Sequence, residues 1–116
     1  MITLSTLPTA TKQELLDQVA THLLTQNKQA NSVATCRYRI GKLKCAAGCL
    51  IGKNEYKESF EGYSWSQLVK LEQVPKAHML LIVDLQHIHD QFPTTEWENE
   101  LRECATKNDL VFNWKG

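Results

Sequence analysis

The chain has no apolar run able to cross a bilayer: its most apolar stretch, Met79 to Val83, falls far short of the about 20 residues that a spanning helix needs. Its first residues lack the basic flank and continuous apolar core of a secretory signal. Both absences point to a cytosolic protein without membrane contact, whose four cysteines stay reduced. Net charge is also absent, because 13 lysines and arginines balance 13 aspartates and glutamates. No global field therefore drives the chain onto nucleic acid, which is the less favoured partner. There is no internal repeat, no low-complexity tract, and no C-x2-C or H-x3-H pair of the kind that announces structural zinc.

What is present fits one compact domain over 1–116, with a lead-in at 1–10 and a C-terminal tail at 110–116. The pattern predicts a mainly α fold with a small β-hairpin, of the α+β class. Thr11 with Glu14 forms a capping box, and Leu15, Leu16, Val19, Ala20, Leu23 and Leu24 extend that helix to about Gln29 at helical spacing. Asn31 and Ser32 read as a loop. Over Ala34–Ile40, Cys36, Tyr38 and Ile40 alternate with Arg37 and Arg39, as a half-buried strand does. Gly41-Lys42 suits a two-residue turn, and Leu43-Lys44-Cys45 returns, so that Tyr38 faces Cys45 and Arg39 faces Lys44. Ala46 to Ile51 reads as a short helix that Gly52 ends. Ser64 with Gln67 starts a two-turn helix that Pro75 breaks, and residues 77–92 form a second long helix stopped by Pro93. Thr95 with Glu98 is a third capping box. Trp97, Leu101, Cys104 and Ala105 line the last helix, with Asn108 as its C-cap and Leu110 to Trp114 as a short strand or extended tail.

The stretch from Cys36 to Ile51 concentrates the chemistry. It holds three of the four cysteines and four cations, Arg37, Arg39, Lys42 and Lys44, without an acid. Asp84, Asp90, Glu96, Glu98, Glu100, Glu103 and Asp109 dominate 84–109, so the basic hairpin and the acidic C-terminal half either face each other or are simply solvated. The opposed Arg39 and Lys44 repel, and a bound anion would relieve that cost. Arg37, Tyr38, Arg39, Lys42, Lys44 and Trp65 are accordingly the candidate binding residues, for a nucleotide or another small anion. Cys45, read as preceding a helix N-terminus beside Lys44, has the setting that lowers a thiol pKa. With His89 as base and Asp90 as orienter it would make a cysteine-dependent enzyme. The plainer alternative is that Cys36, Cys45 and Cys49 are small buried apolar residues. Were a metal bound, those three would be its ligands, although His87 and His89 lie roughly 160–200° apart on a helix and would not chelate together. No metal or other cofactor is expected. Tyr56, Phe60, Tyr63 and Trp65 read mostly as core, with one or two exposed.

The succession Cys36-Arg37-Tyr38-Arg39, Lys44-Cys45-Ala46-Ala47-Gly48-Cys49-Leu50-Ile51, Glu61-Gly62 and Leu85-Gln86-His87-Ile88-His89-Asp90, followed by Trp97 and Leu101, resembles a family of small proteins without an assigned activity. They are encoded by tailed phages, prophages and bacteria, and are marked by a C-x-Y-R … K-C-A-x-G-C-L-I signature. The resemblance spans about residues 14 to 110. Relatives often carry a Pro-Asp-Gly type turn where this chain has the shorter Ile40-Gly41-Lys42. What the resemblance implies is a setting, the cytoplasm of a phage-infected bacterial cell. In that setting the first expectation is a non-catalytic phage or prophage accessory protein that binds a host bacterial protein and modulates it, with counter-defence as one use. A nucleotide or small-anion binding protein is the alternative and a cysteine-dependent enzyme the third reading. A homodimer is compatible with each.

Overall fold

A computed structural model describes residues 1–32 and 35–116. Among them are four α-helices, α1 (Lys12–Gln26), α2 (Trp65–Lys70), α3 (Met79–Gln91) and α4 (Thr94–Lys107). There are also two antiparallel hairpins, β1 (Asn31–Ser32) with β2 (Thr35–Cys36) and β3 (Arg39–Ile40) with β4 (Leu43–Lys44). The fold is thus mainly α with small β elements, the α+β class that the pattern predicts. No helix is long and apolar enough to cross a membrane among the described residues.

The core is a three-helix arrangement in which α1 and α3 both pack on α4, and α2 leans on α3. Leu15, Leu16, Val19 and Leu23 of α1 meet Leu81, Ile82, Leu85 and Ile88 of α3, and Trp97 and Leu101 of α4, all buried. The lead-in is part of that core, since Ile2, Leu4 and Leu7 are buried. Glu55 secures it by accepting the Leu4 and Ser5 N–H groups at 2.9 and 3.0 Å. The tail is extended, without a strand. Leu110 and Phe112 rest on the core, and Gln13 brackets the Val111 backbone.

The capping boxes at Thr11/Glu14 and Ser64/Gln67 form with both reciprocal bonds. The third does not. Pro93 sets the entry, the helix starts at Thr94, and Thr95 is already inside the first turn, where its hydroxyl has no cap position to fill. Helix α1 stops at Gln26 instead of about Gln29 because Asn27 turns left-handed at φ 49°. Helix α2 ends before Pro75 is reached. Glu72 takes φ 59°, and the Glu72 and Gln73 N–H groups fold back to Val69 and Leu68 in a Schellman closure. Helix α3 begins only at Met79, since His78 is left-handed and donates from Nε2 to the Ala10 carbonyl at 2.7 Å.

The expected strand over Ala34–Ile40 is the main correction. Ala34 lies outside the described residues. Cys36 pairs with Asn31 in a hairpin of its own, and Arg39 and Ile40 pair with Lys44 and Leu43 in the register expected. Between them the ladder breaks, because the Tyr38 and Arg39 N–H groups donate to the two oxygens of Glu61, at 2.9 and 3.2 Å, instead of to a strand. Asn31 and Ser32, read as a loop, form β1. Ala46 to Ile51 yields only a 3-10 turn at Gly48–Leu50. That turn is pressed onto the hairpin so closely that a Cβ on Gly48 would lie 2.0 Å from the Tyr38 carbonyl oxygen. Gly48→Ala should therefore cost more than about 2 kcal/mol in urea unfolding, in the upper part of the overpacking range. An unchanged midpoint would show that the turn and hairpin are not in that contact.

Candidate functional site

The C-terminal half of α3 carries a buried polar relay. His89 is fully buried and stacks on Trp97, ring centroids 5.5 Å apart. Its Nε2 accepts the Ala30 N–H at 3.0 Å, so the ring proton must reside on Nδ1, which donates to Asp90 Oδ1 at 2.7 Å. Histidine held this way is neutral, since a second ring proton would face the Ala30 N–H. Gln86, one turn earlier, donates from Nε2 to the same Asp90 oxygen at 2.7 Å and accepts the Ala47 N–H at 2.9 Å. Gln29 donates to the His89 carbonyl at 2.8 Å. One helix turn thus ties the end of α1, the Cys45–Leu50 segment and α4 together.

Asp90 opens onto a cleft of about 390 Å³. Cys36 and Tyr38 form one wall, the Glu61–Ser64 loop with Trp65 and Ser66 of α2 a second, and Val83, Gln86 and Asp90 of α3 a third. Tyr38 and Trp65 meet edge to face with centroids 6.3 Å apart, and the Tyr38 hydroxyl donates to the Tyr63 carbonyl at 2.6 Å. Trp65 is 2 % exposed, and its indole N–H has no hydrogen-bond partner among the described residues. Phe60 is buried with it, Tyr56 is half-buried and Tyr63 is exposed, so the aromatic group divides much as expected.

Of the cationic stretch, Arg37 is answered by acids, and these lie outside the acidic segment 84–109. Arg37 pairs with Glu58 at 2.7 Å and approaches Glu61 at 4.0 Å. Arg39 lies over the Tyr56 ring at 4.7 Å, with its buried Nε unpartnered among the described residues. Lys42 and Lys44 form no ion pair among the described residues. They border a separate groove of about 780 Å³ against α1, where His22 donates from Nε2 to the Lys44 carbonyl at 2.9 Å. Burial lowers the His22 pKa. The six candidate binding residues are therefore split, with Arg37, Tyr38 and Trp65 on the first cleft, Lys42 and Lys44 on the second, and Arg39 on neither.

The thiols depart furthest from expectation. Cys45 does not sit exposed at a helix start. It is buried, its sulfur accepts the Gly48 N–H at 3.2 Å, and burial pushes its pKa well up instead of down. Burial likewise raises Cys49 to about 12, and its thiol donates to the Ala46 carbonyl. Cys36 is the cysteine that reaches His89 and Asp90, with ligand atoms of the three residues within 4.8 Å of one another. Its pKa is raised to about 11 by desolvation and then by the Asp90 charge. Cys36, Cys45 and Cys49 form no ligand group among the described residues. The Cys36–His89–Asp90 group suits a metal poorly, because His89 has one nitrogen committed to Ala30 and a proton on the other.

The residues that sequence reasoning passed over are Ala30, Glu61 and Gln86, each of which acts through a backbone group or a carboxylate far away in the chain. Set against family models, curated proteins and solved structures, the chain finds no match in any of the three comparisons.

Two outcomes are expected. Alkylation of Cys36 by iodoacetamide, followed by peptide mass spectrometry, should speed up about tenfold per pH unit from neutral pH towards its pKa of about 11. Asp90→Asn should accelerate it at mildly alkaline pH by removing a charge that opposes the thiolate. A plateau below about pH 9 would contradict the burial described. His89→Leu leaves the Ala30 N–H unpaired and removes a donor from Asp90. It should cost about 2–3 kcal/mol by chemical denaturation, whereas a loss under about 0.5 kcal/mol, the surface range, would refute the relay.

Proposed function

We propose that the protein is a non-catalytic binding protein that docks a partner macromolecule over the Asp90 cleft and modulates it. The observation that carries this reading is the placement of apolar side chains that packing leaves in solvent. Tyr63, 46 % exposed, and Val83, 38 % exposed, both line the cleft. Leu80, 76 % exposed, stands one turn before Val83 on the same helix face. Contiguous apolar side chains left in solvent beside a concavity mark an interaction surface, and tyrosine is enriched among interface anchors. The signature motif resembles that of phage and prophage proteins, which favours a host bacterial protein as the partner, cytoplasm as the place and counter-defence as the use.

The thiol chemistry weighs against the cysteine-dependent enzyme. Cys36, Cys45 and Cys49 are all held towards the thiol form, and both His89 nitrogens are committed within the chain. The anion-binding alternative retains Lys42 and Lys44 beside the α1 groove, since Arg37 and Arg39 are engaged elsewhere.

Pull-down from bacterial host lysate tests the reading, with the Leu80→Asp/Val83→Asp double variant beside the parent chain. A stoichiometric host protein should be retained by the parent and reduced at least about tenfold by the variant, as for loss of a hot spot. Undiminished capture by the variant would overturn the docking face. A nucleotide found by native mass spectrometry on the parent chain would favour the anion-binding alternative.

A further inference from the structure

We propose that the cleft receives a cationic side chain, the guanidinium or ammonium group of an arginine or lysine in a peptide segment of the partner, with Asp90 as its counter-charge. This deepens the docking reading above and rests on it.

Asp90 is the argument's centre. Its side chain is 29 % exposed, enough to be reached and too little to be fully hydrated. Two donors hold Oδ1, the Gln86 amide and the His89 Nδ1–H, and both are neutral. The carboxylate is therefore oriented without being neutralised, and the Cys36 thiol beside it is a further neutral donor that leaves its charge in place. A part-buried charge left in that condition carries a desolvation cost that a cation entering from solvent would offset. The chain itself has a cation on the cleft, Arg37, but Glu58 and Glu61 take its charge at 2.7 and 4.0 Å. Of the charged residues on the lining, one is cationic, Arg37, and two are anionic, Glu61 and Asp90, with the exposed His87 imidazole at the rim. Glu61 already accepts from two backbone N–H groups and the Tyr56 hydroxyl, which leaves Asp90 as the open acid.

The walls suit the same guest. Three aromatic residues line it, the exposed Tyr63 and the nearly buried Tyr38 and Trp65, and an aromatic ring attracts a cation over its face. The buried indole N–H of Trp65, without a partner among the described residues, is a second unmet demand on this wall, and it asks for an acceptor. An arginine or lysine within a polypeptide carries both complements, N–H donors at its tip and a carbonyl at its root. A bare amine or guanidinium carries only the first. The cleft volume of about 390 Å³ lies within the range of ordinary ligand pockets, about 300–1,000 Å³.

The test titrates the full chain with N-acetyl-arginine methylamide, its citrulline counterpart and guanidinium chloride, followed by calorimetry and by the indole N–H resonances. The arginine compound should bind, and both the uncharged citrulline compound and the free guanidinium ion should be weaker by at least about tenfold. The Trp65 indole resonance should move while that of Trp97, which donates to the Phe92 carbonyl, stays put. Asp90→Asn, which keeps an oxygen for Gln86 and His89, should lower arginine affinity by at least about tenfold. The resonance shifts on the parent chain give the answer even if that variant is unstable. Equal binding of arginine and citrulline, or no shift at Trp65, would overturn the cationic guest. Guanidinium binding as tightly as the arginine compound would overturn the peptide source. Loss of that guest with host-protein capture intact leaves the docking reading standing, whereas loss of capture's dependence on Leu80 and Val83 removes the reading itself.

Discussion

The structure depends on the hydrogen bond from the Ala30 N–H to His89 Nε2. A buried backbone donor needs an acceptor, and among the described residues the one that meets it is an imidazole nitrogen, so the choice of tautomer is forced. The forced tautomer sends the Nδ1 proton to Asp90, Gln86 joins at the same oxygen, and Gln86 in turn receives Ala47. Because Trp97 stacks on the ring, the relay is also wedged between α3 and α4. Removing any member strands a neighbour away from water, which costs more than the bond itself is worth. The relay thereby fixes the backbone after α1, the turn that carries Cys45 and the carboxylate that faces the cleft.

A second carboxylate, Glu61, shapes the other wall by replacing a strand partner. It takes the Tyr38 and Arg39 N–H groups and the Tyr56 hydroxyl, while Glu58 beside it meets Arg37. The zero net charge of the chain therefore conceals an uneven distribution. Of the hairpin cations, Arg37 is consumed by Glu58, 21 residues on, Arg39 lies over the Tyr56 ring, and Asp90 meets no lysine or arginine among the described residues. Electrostatic character at the cleft is set by which charges are already spoken for, and a residue count does not reveal that.

Local features were legible in the sequence to the extent that their partners were local. The capping boxes at Thr11 and Ser64, the two-residue turn at Gly41-Lys42 and the apolar faces of α1, α3 and α4 all rest on neighbours within one or two turns, and each appears where the pattern places it. The misread elements were decided at a distance. The strand over Ala34–Ile40 breaks because Glu61, separated by 23 residues from Tyr38, captures its N–H. The helix expected after Cys45 shrinks to one turn because Gly48 lies against the Tyr38 carbonyl. For the site, Tyr38, Trp65, His89 and Asp90 could be singled out by type, but their assembly could not. It runs through Ala30 and Gln86, whose side chains suggest no chemistry and whose bonds span 59 and 39 residues. The cysteine signal misled for the same reason: Lys44 beside Cys45 argues for a thiolate, and burial, visible only in three dimensions, reverses it.

The central claim is that a neutral Nδ1–H histidine orients Asp90 without cancelling its charge. Long-range proton–nitrogen correlation spectroscopy of the His89 ring at neutral pH tests it most directly. A protonated Nδ1 beside a bare, hydrogen-bond-accepting Nε2 is the predicted pattern. A proton on Nε2, or on both nitrogens, would mean that Ala30 has lost its acceptor or that Asp90 already has its counter-cation, and either result would contradict the account.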